Sequence, residues 1–138
     1  MDRYDTTRVL LGLQDIVLGR GRVVARDGLP DGRLDAILVP EGDEHTPVVV
    51  RIFADVCRLT FGSGSSDSFG YGGVDDEDIV LDAVRAIVSG HAWERFVLDD
   101  DGLHVLPRIV GTLHETVAGG DDLDVAYERR VPAWPPMS

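Results

Sequence analysis

The chain has 138 residues and a formal net charge of −12, and a length of this order suits one domain with its own hydrophobic core. All thirteen basic residues are Arg, which excludes lysine chemistry such as Schiff-base formation or a phosphate-loop lysine. The single cysteine, Cys57, excludes an intrachain disulfide and a multi-cysteine zinc site. The acidic balance also disfavours direct binding to nucleic acid or to an anionic membrane surface.

The N-terminal segment predicts an amphipathic helix. It begins at a cap formed by Asp5 or Thr6 and ends before Gly19. Its apolar residues have the spacing of one buried helix face: Val9, Leu10, Leu13, Ile16 and Val17. The first residues lack the basic-then-apolar pattern of a signal peptide, and no apolar run reaches the length of a membrane span, so we expect a cytoplasmic protein.

The segment after this helix predicts a three-stranded antiparallel meander. Turn-rich pieces at 27–32 and 40–47 separate three stretches rich in Val, Ile, Leu and Phe. The third stretch, 48–61, is longer than most strands, so we expect a bulge or bend near Ala54 and Asp55. Both of its faces are largely apolar, which indicates a central strand covered on at least one side by the helices.

Residues 62–74 are rich in glycine and serine and predict a flexible loop. Their glycines match neither the dinucleotide-binding pattern nor the phosphate-loop pattern. The helix predicted next opens with four consecutive acids, from Asp75 to Asp78, which neutralise the positive end of the helix dipole and repel a bound anion. We therefore exclude a phosphate site in this loop.

The second half of the chain predicts one helix followed by two hairpins. The helix covers Asp75–Ser89 and stops at Gly90. In the first hairpin, a two-residue turn at Asp101–Gly102 places Leu98 opposite Val105, with Phe96 further along the same inward face. A second hairpin turns around Gly119 and Gly120, and Pro107 divides the two units or lies at an edge.

The predicted order is helix, three-strand meander, helix and two hairpins. This is an α+β domain with two helices and one antiparallel sheet of about five to seven strands. We assign residues 1–131 to the domain and residues 132–138 to an extended tail that is ordered only if Trp134 finds a groove. The layout and the pI of about 4.5 resemble small acidic chaperones of bacterial secretion systems and some toxin-immunity proteins, a likeness of fold and charge only.

The sequence predicts no catalytic, cofactor or metal site. Cys57 has the apolar neighbours of an inert core cysteine, and His104 and His114 lack a third ligand for a metal. Aromatic residues beside acids form a common kind of contact surface. The candidate partner-binding residues are the two aromatics of the glycine-rich loop and the acids that follow it: Phe69, Tyr71, Asp75, Asp76, Glu77 and Asp78. The alternative is that the two aromatics pack back onto the domain or belong to a disordered loop, and that the acids form an ordinary solvated surface.

The favoured hypothesis is a non-catalytic interaction protein, of the inhibitor, immunity or chaperone type, that binds a basic partner through this acidic surface. One alternative is a small enzyme or ligand-binding domain in which the glycine-rich segment acts as a mobile lid. Another is a homo-oligomeric subunit that buries an apolar sheet face or Trp134 between copies.

Overall fold

The computed structural model describes residues 6–26, 34–42, 47–53, 56–62, 65–70, 76–113, 115–117 and 124–134. These ranges contain two helices and nine strands in two antiparallel sheets. The α+β class with two helices is confirmed, whereas the prediction of a single sheet is wrong. The elements are α1 (Thr6–Val17), β1 (Gly21–Arg26), β2 (Leu34–Pro40), β3 (Val48–Phe53), β4 (Val56–Phe61), β5 (Ser65–Gly70), α2 (Asp76–Val88), β6 (Ala92–Asp99), β7 (Gly102–Val110), β8 (Glu115–Val117) and β9 (Tyr127–Arg130).

The core lies between the helices and one face of the first sheet, whose strand order is β1-β2-β3-β4-β5. Helix α1 has its predicted bounds. The chain turns away from the helix at Gly19, whose φ of 79° is a backbone conformation that glycine adopts at little energetic cost. The fully buried side chains of this core come from both helices and from alternate strand residues: Val9, Leu13, Val80, Val84, Leu34, Leu38, Val48, Val50, Ile52, Cys57 and Leu59.

The predicted long strand over 48–61 is instead a hairpin of β3 and β4. In the observed register Ile52 lies opposite Cys57 and Val50 lies opposite Leu59. In a continuous strand, the even-numbered Val50 and Ile52 would lie on the opposite face from the odd-numbered Cys57 and Leu59. When the chain folds back into a hairpin, paired residues lie on the same face. The hairpin thus buries both apolar rows in one core. Its connecting residues, Ala54 and Asp55, lie outside the described residues.

A strand occupies the middle of the predicted flexible loop at 62–74. Strand β5 pairs antiparallel with β4 along its whole length, from Val56 opposite Gly70 to Phe61 opposite Ser65. Polar, glycine-rich residues have little β propensity, but β4 offers a row of backbone donors and acceptors that must be satisfied. The pairing with β4 therefore overrides the local composition.

The two helices approach closely in the layer above the first sheet. A Cβ atom added at Gly12 of α1 would lie 2.6 Å from the Leu81 side chain of α2, so glycine permits this contact. An ion pair joins the same helices, because Arg8 Nη1 lies 3.2 Å from Glu77 Oε2. Helix α2 ends before Gly90, the predicted stop, which has a φ of 82°.

The second sheet has the strand order β8-β7-β6-β9. The first predicted hairpin forms from β6 and β7, but the second does not, because β8 pairs with β7 and β9 pairs with β6. The described residues of β8 pair with Arg108–Val110, and Pro107 lies inside β7, opposite Glu94 of β6. Residues 118–123, which contain the predicted Gly119–Gly120 turn, lie outside the described residues.

The C-terminal segment packs onto the domain as far as Trp134. Its side chain is 5% exposed, and its backbone N–H donates to the Val88 carbonyl at the end of α2, 2.8 Å away. The ring also lies beside Gly21 at the start of β1. Trp134 thus packs in a groove beside the end of α2 and the start of β1, three residues after the predicted domain boundary at 131.

Candidate functional site

The acids at the start of α2 are less available than the sequence suggests. Asp76 is the first residue of the helix. Glu77 is only 16% exposed and pairs with Arg8, so part of the predicted negative charge is compensated within the chain. Asp78 is exposed. Of the six predicted partner-binding residues, Asp78 is thus the one whose side chain is described as exposed.

The aromatic residues predicted to accompany these acids are only partly placed. Phe69 lies in β5, opposite Cys57 of β4. Its side chain lies outside the described part of the chain, as do that of Asp76 and the whole of Tyr71 and Asp75. Their role in binding a partner stays a prediction.

A different exposed surface lies at the end of the β6–β7 hairpin. Leu98 and Leu103 are directly opposite each other across the two strands, and they are 69% and 64% exposed. Phe96 lies two residues along the same face of β6, opposite Val105 of β7 and Tyr127 of β9. Tyr127 is 61% exposed, and its ring centroid lies 5.7 Å from that of Phe96.

Three carboxylates form the turn at the end of this apolar face. Asp99, Asp100 and Asp101 are all exposed. Asp100 and Asp101, together with the apolar side chains, form what we call the hairpin-tip surface, which comprises Phe96, Leu98, Asp100, Asp101, Leu103, Val105 and Tyr127. Asp99, next to Leu98 in β6, lies on the opposite face of the hairpin beside His104. The hairpin-tip surface combines exposed apolar side chains with concentrated negative charge, and an exposed apolar patch with a polar rim is one mark of an interaction site.

Hydrogen bonds hold the turn in place and favour the ionised form of the Asp99 carboxylate. Asp99 Oδ1 accepts the Asp101 backbone N–H at 2.8 Å and lies 3.0 Å from His104 Nε2. The Asp101 amide foremost, and the His104 ring after it, lower the pKa of Asp99 below its ordinary value. The Asp99 carboxylate therefore stays ionised in mildly acidic solution.

An ion pair between the buried Glu94 and the half-exposed Arg129 supports the inner end of the apolar patch. The Glu94 side chain is 1% exposed, and its Oε1 lies 2.6 Å from Arg129 Nη2. This hydrogen bond and the charge of Glu94 raise the pKa of Arg129. The Arg129 guanidinium also lies over the Phe96 ring, 5.6 Å from its centroid, in a cation–π contact. These contacts orient the ring from which the patch extends.

The sequence prediction missed this surface because it placed the hairpin register two residues away. In the structure Asp99 pairs with Gly102, and Leu98 faces Leu103 instead of Val105. The central residues of the turn are thus Asp100 and Asp101, and Gly102, which has a φ of 120°, is the residue that follows the turn. Two acids before a glycine were the available signal for this turn.

Another buried carboxylate has a structural role. Asp82 of α2 is 3% exposed and accepts hydrogen bonds from the Thr112 backbone N–H, the Thr112 hydroxyl and the Leu113 backbone N–H, at 2.7 to 3.0 Å. It therefore ties α2 to the chain that leaves β7. A pocket of about 160 Å³ adjoins it, lined also by Arg85 and His91, but the three hydrogen bonds already engage both oxygens of the carboxylate.

In the ranges that the structure covers, no helix is long and apolar enough to cross a membrane. Nor do those ranges bring together three or more His, Cys, Asp or Glu side chains in a group that could hold a metal ion. Comparisons of this chain with protein-family models, with curated proteins and with solved structures find no match.

Proposed function

We propose that this chain acts by non-catalytic protein–protein interaction with a basic partner, as inhibitors, immunity proteins and chaperones do. The observation that carries the proposal is the exposed leucine pair, Leu98 and Leu103, beside the two central aspartates of the turn. Covering one large aliphatic side chain contributes about 1.5–3 kcal/mol. A partner that covers both leucines therefore gains enough to define a binding centre.

The hairpin suits this role because its backbone is already ordered. Strands β6 and β7 pair continuously from Ala92 opposite Ile109 to Asp99 opposite Gly102. A surface that is ordered before binding loses little conformational entropy when the partner arrives, so more of the contact energy appears as affinity. The hairpin tip can therefore bind a partner without rearrangement of its backbone.

The charge of the surface favours a cationic partner. Three carboxylates lie at the tip, and the whole chain has a net charge of −12. Such a field speeds the encounter with a basic surface and repels an acidic one. Glu77 is paired with Arg8, so we place the centre of the contact at the hairpin tip and treat Asp78 as a contributor to the field.

Capture from a lysate of the source cells tests the apolar centre of the proposed site. The wild-type chain, a Leu98→Ser/Leu103→Ser variant and a Leu11→Ser/Leu18→Ser variant serve as baits. Leu11 lies in α1 and Leu18 directly follows its last residue, Val17. These leucines are 60% and 62% exposed, so they match the test pair in type and exposure. We expect a basic protein to bind the wild type and the α1 variant but not the hairpin variant.

Charge reversal then separates the two acidic regions. An Asp100→Lys/Asp101→Lys variant should lose capture, and raising the salt concentration should weaken capture by the wild type. If Asp78→Lys abolishes capture and the turn variant does not, the contact belongs at the start of α2. If all variants capture the same protein equally, the proposed function fails. Self-association of the purified chain in sedimentation would instead favour the homo-oligomeric alternative.

A further inference from the structure

The outer face of the first sheet carries charge of the opposite sign to the rest of the molecule. The observed register places four arginines on this face, and all four are exposed: Arg22, Arg26, Arg51 and Arg58. Among the outward side chains described on its strands, Asp35 is the one acid, 3.6 Å from Arg51 Nε. In a chain with 25 acidic residues and 13 arginines, this face is a local basic patch.

An apolar row crosses the sheet between these arginines. Val24 of β1 lies opposite Ile37 of β2, which lies opposite Val49 of β3. Val24 is 53% exposed and Ile37 is 43% exposed. A groove of about 340 Å³ runs over this row and reaches Arg26 and Arg51. The groove therefore has an apolar floor flanked by Arg26 and Arg51, with Asp35 beside Arg51.

Strand β1 stands at the end of the sheet in the described part of the chain. A terminal strand presents backbone N–H and C=O groups on one side, where a further strand can pair. Along this edge the outward side chains alternate as Arg22, Val24 and Arg26. The same arginines that repel a second copy of β1 are complementary to a strand with acids at the matching positions.

We propose that β1 binds an extended acidic segment of a partner protein by strand addition. The segment would carry an acid, an aliphatic residue and an acid at alternate positions, so that its acids lie beside Arg22 and Arg26 and its aliphatic side chain extends the row at Val24. This site goes beyond the proposed function, because it lies on another sheet and selects a ligand of opposite charge to the one proposed for the hairpin tip.

A synthetic peptide with Glu, Val and Glu at alternate positions and Thr between them is the probe. Binding is measured by fluorescence anisotropy against the full chain at about 0.15 M salt, where charges more than about 8 Å apart are largely screened. The Arg22→Glu/Arg26→Glu variant should bind the peptide about tenfold more weakly or worse. Arg85→Glu, a reversal at an exposed position of α2, should bind it like the wild type.

Two further arms test the strand geometry and the sign of the charge. N-methylation of one alternate set of peptide amides should abolish binding, while methylation of the other set should spare it, because only one set faces β1. A peptide with Arg in place of Glu should recover binding to the reversed variant. Circular dichroism checks that each variant is folded.

The proposal is overturned by any of three results: no binding of the Glu-Val-Glu peptide, equal loss for both methylated peptides, or equal binding of a short single-stranded DNA. None of these results bears on the hairpin tip. Conversely, the hairpin variant Leu98→Ser/Leu103→Ser should bind the peptide normally, so failure of either proposal leaves the other standing.

Discussion

At the scale of single residues, Gly62 at the end of the first sheet lies against Glu94 of the second sheet in a conformation that favours glycine. Its φ is 62°, and a Cβ atom there would lie 2.7 Å from Oε1 of the buried Glu94. The backbone conformation and the close contact with the carboxylate thus both favour glycine. Glu94 in turn holds Arg129 over the aromatic base of the hairpin-tip surface.

Replacing Gly62 by Ala should therefore destabilise the fold more than the same change at Gly42. Gly42 has a φ of 85° and no atom within 4 Å of an added Cβ, so Gly42→Ala should cost only the backbone term, about 1 kcal/mol. Gly62→Ala should cost roughly 2–4 kcal/mol, because it also disturbs a buried charged group. Urea denaturation of both variants measures the difference. Equal losses would show that the contact with Glu94 carries no energy.

The turn carboxylate Asp99 gives a pH-dependent prediction. Its folded-state pKa is lowered, chiefly by the Asp101 amide, so its contribution to stability is present above the pKa of the unfolded chain. That contribution is lost as the pH falls through the folded-state value. Asp99→Asn should be less stable than the wild type at pH 7, and the two should converge in strongly acidic solution.

Urea denaturation at a series of pH values checks the effect of Asp99→Asn. The neighbouring substitution Asp100→Asn, which removes an equal charge from the same turn, is the matched control. A constant difference between Asp99→Asn and the wild type at every pH would contradict the assigned role of the carboxylate.

At the scale of elements, the helices could be predicted because their signals are local. Apolar spacing and a glycine stop define α1 and α2 without reference to the rest of the chain. The β3–β4 hairpin could not be predicted in the same way, because a long apolar stretch with two apolar faces fits a central strand as well as a folded pair. The position of one short connection decides between them.

Strand β5 and the exposure of the hairpin tip also could not be predicted from local sequence. The composition of β5 favours a loop, and only the backbone groups of β4 make it a strand. At the hairpin tip a shift of two residues keeps each side chain on its face but moves Leu98 to the last pair but one of the ladder, where it is exposed. Burial there depends on register and strand ends, which residue patterns alone leave open.

The C-terminal segment provides a prediction at this scale. Trp134 is buried beside β1 and the end of α2, so Trp134→Ala should cost roughly 3–5 kcal/mol. Pro132→Ala changes an exposed residue of the same segment and should cost much less. Thermal and urea denaturation compare the two variants. A Trp134→Ala protein as stable as the wild type would mean that the segment only rests on the domain.

At the scale of the whole molecule, charge and apolar surface are unevenly distributed. The hairpin tip combines exposed leucines with three carboxylates, whereas the outer face of the first sheet combines an exposed aliphatic row with four arginines. Net charge, read from composition, describes only the sum of these regions. The composition therefore gives the sign of the net charge of the chain. It does not show where exposed apolar side chains lie beside charged ones.

The affinity of the captured basic partner for the purified chain tests the central claim most directly. Isothermal titration calorimetry should give wild-type affinity for Leu11→Ser/Leu18→Ser and an affinity about a hundredfold weaker, or no binding, for Leu98→Ser/Leu103→Ser, since two central aliphatic contacts are lost. Equal affinity for the two leucine variants would contradict the assignment of the β6–β7 hairpin as the binding surface.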